Sequence, residues 1–161
     1  MAAYKKVLES NMKIRFHDCD PFGHLNYSRY IDYIITARGD QLIDNYDFDI
    51  YKLAEEKGLG WVTAQTQISY LAPAYLMEEV CIQTQLLAYS QKSLMLEGTM
   101  WNKKKTAIKA LMWTKLVHYH LPTQKSHLHA IELMQFFESI VNPNGEKMNF
   151  EERVKTVCTP N

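Results

Sequence analysis

The chain of 161 residues has no surplus of either charge: eighteen Lys and Arg stand against eighteen Asp and Glu. Sequence-independent binding to a phosphate backbone needs an overall basic field, so nucleic acid is not an expected partner. Cysteine is scarce. Cys19, Cys81 and Cys158 are odd in number, widely spaced and without a CxxC pair, which argues against both a disulfide framework and a zinc site. No stretch of about 18 apolar residues is present, and the opening Met-Ala-Ala-Tyr-Lys-Lys-Val-Leu-Glu has no apolar h-region. No membrane partner is expected, and the cytoplasm is the expected compartment. Two hydrolase and nucleotide-binding signatures are missing as well: a glycine-rich phosphate loop with its lysine, and a Gly-x-Ser-x-Gly elbow.

What remains is an ordinary globular composition, 47% hydrophobic and 22% charged, over a length that fits one domain with one core. Residues 1–161 are expected to form that single domain, with a core at about 11–120 and a helical extension at about 126–157. The first periodic element is Met12 to Phe16, whose apolar residues Met12, Ile14 and Phe16 alternate with Lys13 and Arg15 and so predict a strand. A turn-forming stretch with Asp18, Asp20, Pro21 and Gly23 follows, and Asn26 can cap a helix starting at Tyr27. From Tyr27 to about Asn45 the residues Tyr27, Tyr30, Ile31, Ile34, Ile35, Leu42 and Ile43 recur at three- and four-residue steps. A helix so apolar over its girth has to be covered on more than one side, as a curved sheet would do.

The rest of the chain supplies such a sheet. A short helix is expected at Ile50 to Lys57, then a strand over residues 61–71 with Val62, Ala64, Thr66, Ile68 and Tyr70 on one side. Ala72-Pro73-Ala74 interrupts the pattern. Val80 to Tyr89 alternates again, Ser90-Gln91-Lys92 turns, and a further turn at Asn102 to Lys105 leads into a segment reaching His120. The basic run Lys103 to Lys105 therefore reads as a solvated hairpin turn. Ser126 is expected to cap a last long helix from His127 to Val141, ended by Asn142 to Gly145, and a weaker helical stretch runs from Phe150 to about Val157. Strand, helix, then four strands around that helix is an α+β arrangement.

The segment His17-Asp-Cys-Asp-Pro-Phe-Gly-His-Leu-Asn-Tyr27 packs carboxylates, turn residues and an imidazole between a strand and a helix start. Helix N-termini offer unpaired N–H groups and partial positive charge, which suits an oxygen that becomes negative during reaction. Acyl transfer from a thioester needs such donors together with a base or nucleophile, and Asp20 beside the helix start can supply both. The same residues also read as a turn that Asp18 and Asp20 cap while Pro21 and Gly23 shape it.

This segment resembles the Asp-x-Asp-x-x-Gly-His-x-Asn stretch of the 4-hydroxybenzoyl-CoA thioesterase-like branch of the hotdog superfamily. The likeness continues through Tyr30, a helix carrying Arg38, and Ile68-Ser-Tyr-Leu-Ala-Pro-Ala74, covering roughly residues 11–120. The resemblance implies a curved antiparallel sheet wrapped around a long central helix and an acyl-CoA substrate, with no cofactor and a homodimer or homotetramer. It makes Asp20 the base or the nucleophile and the Tyr27 backbone N–H the group that polarises the thioester carbonyl. Gly23 would admit the thioester closely, His24 and Asn26 would line the site, and Tyr30 would face the acyl group. The residues that grip hydroxybenzoyl groups have no evident counterparts, so an aliphatic or simple aryl acyl group is expected. Acyl carrier protein as the acyl carrier, or a module that binds thioesters without cleaving them, are the alternatives.

Other polar residues read as structural. Asp32 and Asp40 fall on the polar face of the long helix. His118, His120, His127 and His129 form two His-x-His pairs, but the second is expected at a helix start, where such a pair does not share a face, and no cysteine accompanies it. They read as surface histidines rather than metal ligands.

Overall fold

The computed structural model describes residues 3–142 and 147–159. The first strand, β1 (Leu8–Lys13), leads through a 3-10 turn at Phe16–Asp18 and a second at Tyr27–Arg29 into the long helix α1 (Tyr30–Tyr46). A short helix α2 (Ile50–Lys57) precedes β2 (Leu59–Tyr70), β3 (Glu79–Tyr89), β4 (Ser93–Asn102) and β5 (Ile108–His120). A two-residue strand β6 (Lys125–Ser126) and the helices α3 (Ile131–Ile140) and α4 (Phe150–Cys158) complete the described residues. The sheet is antiparallel in the order β1-β3-β4-β5-β2, with β6 paired to β5. It curls around α1, so the expected hotdog architecture is the one observed.

Strand β1 lies earlier than the hydrophobic pattern placed it. Its ladder runs from Leu8 opposite Thr84 to Lys13 opposite Glu79, and Phe16, expected inside, is 80% exposed in the 3-10 turn. The inward face is Leu8, Ser10, Met12 and Ile14. Ser10 hides it from a hydrophobicity pattern, because its hydroxyl faces inward to accept a hydrogen bond from Gln41 Nε2 at 2.8 Å.

Helix α1 begins three residues after the expected start, since Tyr27–Arg29 forms a 3-10 turn. The Asn26 side chain does cap it, accepting from Ser28 N–H at 3.0 Å. Tyr30, Tyr33, Ile34, Ala37 and Leu42 are buried, whereas Tyr27, Ile35 and Ile43, expected in the apolar face, are exposed. The buried face instead includes Arg38 and Gln41. Close approach of α1 to the sheet depends on Gly98 of β4: a methyl group there would come within 2.3 Å of Ile34 Cγ2.

Strand β2 carries a bulge at Ala64, between Thr63 and Gln65, so the expected alternation over residues 61–71 breaks in the middle. A bulge leaves one residue unpaired and shifts the side-chain pattern; Val62 is 41% exposed, while Ile68 packs on the core.

The largest departure is at the C-terminal side. The helix expected from His127 starts only at Ile131, with Ala130 rather than Ser126 at its N-cap. Ser126 belongs to β6, and the chain stays extended because its backbone is already bonded: His127 N–H donates to His118 O and His129 N–H to Gln91 O. His118 and His129 are buried, not on the surface. Trp61 Nε1 donates to His129 Nε2 at 3.0 Å, and the His118 and His129 rings lie 4.8 Å apart. Asn142 accordingly follows a shorter helix than expected, and Pro143 to Gly145 lie outside the described residues. Helix α4 packs on the outer face of the sheet through a bidentate pair: Arg153 Nε and Nη2 donate to buried Glu97, each at 2.8 Å.

Candidate active site

Residues 18–26 form a miniature hairpin. Cys19 pairs with Leu25, Asp20 N–H donates to His24 O, and Asn26 N–H donates to Asp18 O. At its tip Gly23 N–H donates to Asp20 O at 3.1 Å. Asp, Pro and Gly thus occupy the first, second and fourth places of a β-turn, each a position its chemistry favours. Gly23 has a φ of 75°, a left-handed conformation that a residue without Cβ adopts at little cost. Space is not the constraint, since a Cβ on Gly23 would meet no protein atom within 4 Å. The hairpin is held on the body of the protein where Leu25 N–H donates to Ala74 O and Leu76 N–H donates to Gly23 O.

Leu25 is buried and Cys19 packs against the core, so alternation along the limbs puts Asp20 and His24 on the opposite side. Asp20 Oδ1 accepts from Phe22 N–H at 2.9 Å and from His24 N–H at 3.1 Å. These bonds fix the orientation of the carboxylate. Its other oxygen, Oδ2, makes no hydrogen bond among the described residues. The Tyr27 N–H, at the head of the turn that opens α1, is likewise unpaired among them. Turn-capping and a free acceptor therefore coexist in one side chain.

The other expected site residues divide. His24 packs edge-on against Tyr75, ring centroids 5.2 Å apart, and Asn26 holds the helix entry, bonding both Ser28 N–H and Ser28 Oγ. Tyr30 is buried, and its hydroxyl accepts from Ala74 N–H at 3.2 Å. Burial raises the pKa of that phenol, against the opposing effect of the Ala74 bond. Asp18 is committed elsewhere. It accepts the Tyr33 hydroxyl at 2.6 Å, and burial together with that bond pushes the Tyr33 pKa up to about 12. Asp32 is exposed and pairs with Arg29 at 3.2 Å.

Tyr70 is a site neighbour that the sequence alone placed only on one face of a strand and within the Ile68–Ala74 stretch. Its hydroxyl donates to Tyr27 O at 2.9 Å, and its ring meets Tyr30 at 5.2 Å. It pins the residue whose N–H is free. Spacing could not have found it, since 43 residues separate the two. Among the described residues no group of three or more His, Cys, Asp or Glu side chains has metal-binding geometry, and no helix is long and apolar enough to cross a membrane.

A family model described as the thioesterase-like superfamily matches residues 14–155. The long-chain acyl-CoA thioesterase FadM of Escherichia coli (strain K12) is 25% identical over 134 residues, which are 83% of this chain and 99% of that one. The crystal structure of YbaW, a probable thioesterase from Escherichia coli, superposes with a TM-score of 0.70 at 25% identity, covering 84% of this chain and 99% of that one. The DHNA-CoA thioesterase of Staphylococcus aureus shares the fold, with a TM-score of 0.74 at 16% identity over 94% and 92% of the two chains.

Proposed function

Because the chain belongs to the thioesterase-like superfamily, we propose that it hydrolyses acyl-CoA thioesters to the free acid and CoA, with Asp20 as the reacting carboxylate. The observations that carry this reading are an unbonded acceptor on an oriented side chain, Asp20 Oδ2, and an unbonded N–H on Tyr27, at the head of the 3-10 turn that leads into α1.

The chemistry follows from these two groups. The Tyr27 N–H donates to the thioester carbonyl oxygen, and this bond strengthens as that oxygen gains charge in the tetrahedral state. The helix start adds partial positive charge at the same end. Asp20 takes a proton from a water molecule as that water's oxygen bonds to the carbonyl carbon; the C–S bond then breaks and the proton passes to the CoA sulfur. Alternatively Asp20 Oδ2 attacks the carbon itself, expels the thiolate and forms an anhydride that water cleaves. Gly23 leaves the approach open, and His24 and Asn26 shape the rim.

Free-thiol release from acyl-CoAs of graded chain length tests the reading. Asp20→Asn keeps the turn acceptor but removes the charge, and it is expected to lower kcat about 100-fold or more, the order for a positioned base. Wild-type protein that releases no thiol from any chain length would make this a thioester-binding module instead.

We also read the active unit as a homodimer, or a tetramer built from dimers. Strand β2 is a sheet edge of twelve residues, exposed over Val62–Gln65, and unpaired edges of this length are normally covered. Sedimentation is expected to give at least twice the chain mass of 18.8 kDa; a monomer at micromolar concentration would refute this. The cytoplasm is the proposed compartment, consistent with free Cys19, Cys81 and Cys158.

A further inference from the structure

A cavity of about 330 Å³ lies under the second half of α1, between that helix and the sheet, with α2 and α3 closing its sides. Its walls are apolar, with Leu42, Leu86, Leu96, Leu116, Phe137 and Ile140 among them. None of Asp20, Gly23, His24, Asn26, Tyr27 and Tyr30 lines it. The expectation that Tyr30 would face the acyl group therefore does not apply to this cavity.

One charged side chain lines it, Arg38, which is only 6% exposed. Its Nη1 donates to Thr84 Oγ1 at 3.1 Å, and Thr84 in turn donates to Gln41 Oε1 at 2.6 Å. The Nε–H is buried and has no hydrogen-bond partner among the described residues. No carboxylate among them forms an ion pair with this guanidinium; the ionisable group felt by its charge is the Tyr46 phenol. Burial lowers the Arg38 pKa to about 10, so the group still carries its proton at neutral pH. Buried charges in proteins are normally paired, because leaving one unpaired in an apolar setting is heavily penalised. Arg38 is thus an unpaired charge on an otherwise apolar cavity wall, so an occupant that matches both carries an anionic acceptor and is apolar elsewhere.

We propose that this cavity binds an apolar chain ending in an anionic oxygen, with that oxygen on the Arg38 guanidinium and the chain against the leucine-rich walls. Two sources share this chemistry. One is a free carboxylic acid with a medium-length chain. The other is an acyl-CoA whose acyl chain carries a second carboxylate at its far end. The site is independent of the thioesterase reading, because binding of a free acid involves no thioester.

Calorimetric titration of the wild-type chain with decanoate and with decanol tests it without a variant. Decanoate is expected to bind about tenfold or more tightly than decanol, the gain from a charge-assisted hydrogen bond. In Arg38→Met the two ligands should bind alike, and Arg38→Lys should keep part of the preference if Arg38→Met fails to fold. Leu116→Trp, which fills the cavity, should abolish binding of both. Thiol release from decanoyl-CoA and from its counterpart with a terminal carboxylate separates the sources. An Arg38-dependent preference for the carboxylated substrate identifies the acyl group as the occupant, and decanoate binding without it identifies the free acid. The proposal is overturned if wild-type protein shows neither preference, or if a folded Arg38→Met keeps it. Loss of thiol release alone, with decanoate still bound, would sink the thioesterase reading and leave this one standing.

Discussion

Asp20 has one structural role and one proposed catalytic role, and substitution can separate them. Its Oδ1 holds the Phe22 and His24 N–H groups, while Oδ2 is the atom proposed to react. Asparagine retains a carbonyl acceptor for those bonds, so Asp20→Asn should be inactive yet melt close to wild type. Alanine removes the acceptor, and Asp20→Ala should lose activity and also about 1 kcal/mol of stability, the usual value of such turn and cap bonds. Denaturant melts of the two variants check this; equal midpoints would mean that the side chain contributes nothing to the turn. The neighbouring Asp18 shows why type and spacing alone could not rank the two carboxylates. Both sit in the same motif, and what distinguishes them is Tyr33, fifteen residues on, whose hydroxyl occupies Asp18.

The packing of α1 on β4 turns on a single missing side chain. Gly98→Ala would force a methyl group to within 2.3 Å of Ile34 Cγ2, and it should cost about 1–3 kcal/mol, as overpacking does. Adding Ile34→Ala should recover part of that loss, so the double variant should be more stable than the sum of the two singles; strict additivity would refute the contact. The segment from β6 to α3 responds to acid instead. Burial lowers the pKa of both His118 and His129. Facing them are Trp61, Phe137 and His127, with the Gly60 and Ser90 carbonyls on their Nδ1 atoms. The unfolded chain, with ordinary histidines near pH 6.5, therefore takes up protons first. The stabilisation is complete above that pH and is lost as pH falls towards the depressed folded values. Melting temperature should drop between roughly pH 7 and 5, and His118→Gln should show a smaller drop. A parallel decline in both would exclude the His118 imidazole as its source.

The curled sheet has two faces, and the chain covers them with different elements. Helix α1 fills the inner face, while α4 lies outside, fastened where Arg153 meets Glu97 with Trp113 and Gln85 also donating to that carboxylate. Burial by itself would raise the Glu97 pKa, but these bonds outweigh it and hold it below the ordinary carboxylate value. Arg153→Met would leave the charge of Glu97 buried without its cation, which should destabilise the fold by about 3–5 kcal/mol. Restoring an apolar pair with Glu97→Leu in the same chain should return much of this. If the single variant melts like wild type, α4 is not anchored through this pair.

Local chemistry was enough for much of this protein. The Asp-Pro-Phe-Gly turn, the Asn26 cap, helix α2 at Ile50–Lys57 and the β3-β4-β5 meander all follow from side-chain preferences that act over a few residues, and so they are legible in one dimension. The family resemblance of the motif also pointed to Asp20 and the helix start as the groups proposed to react. Distant contacts settled the rest. Ser10 and Arg38 face inward because Gln41 and Thr84 receive them, and His127 to His129 stay extended because β5 and the Ser90–Lys92 turn already hold their backbone. Tyr70 reaches Tyr27 only when the sheet curls around α1. A polar residue's burial depends on which partner the fold brings to it, and no pattern of neighbours along the chain contains that partner.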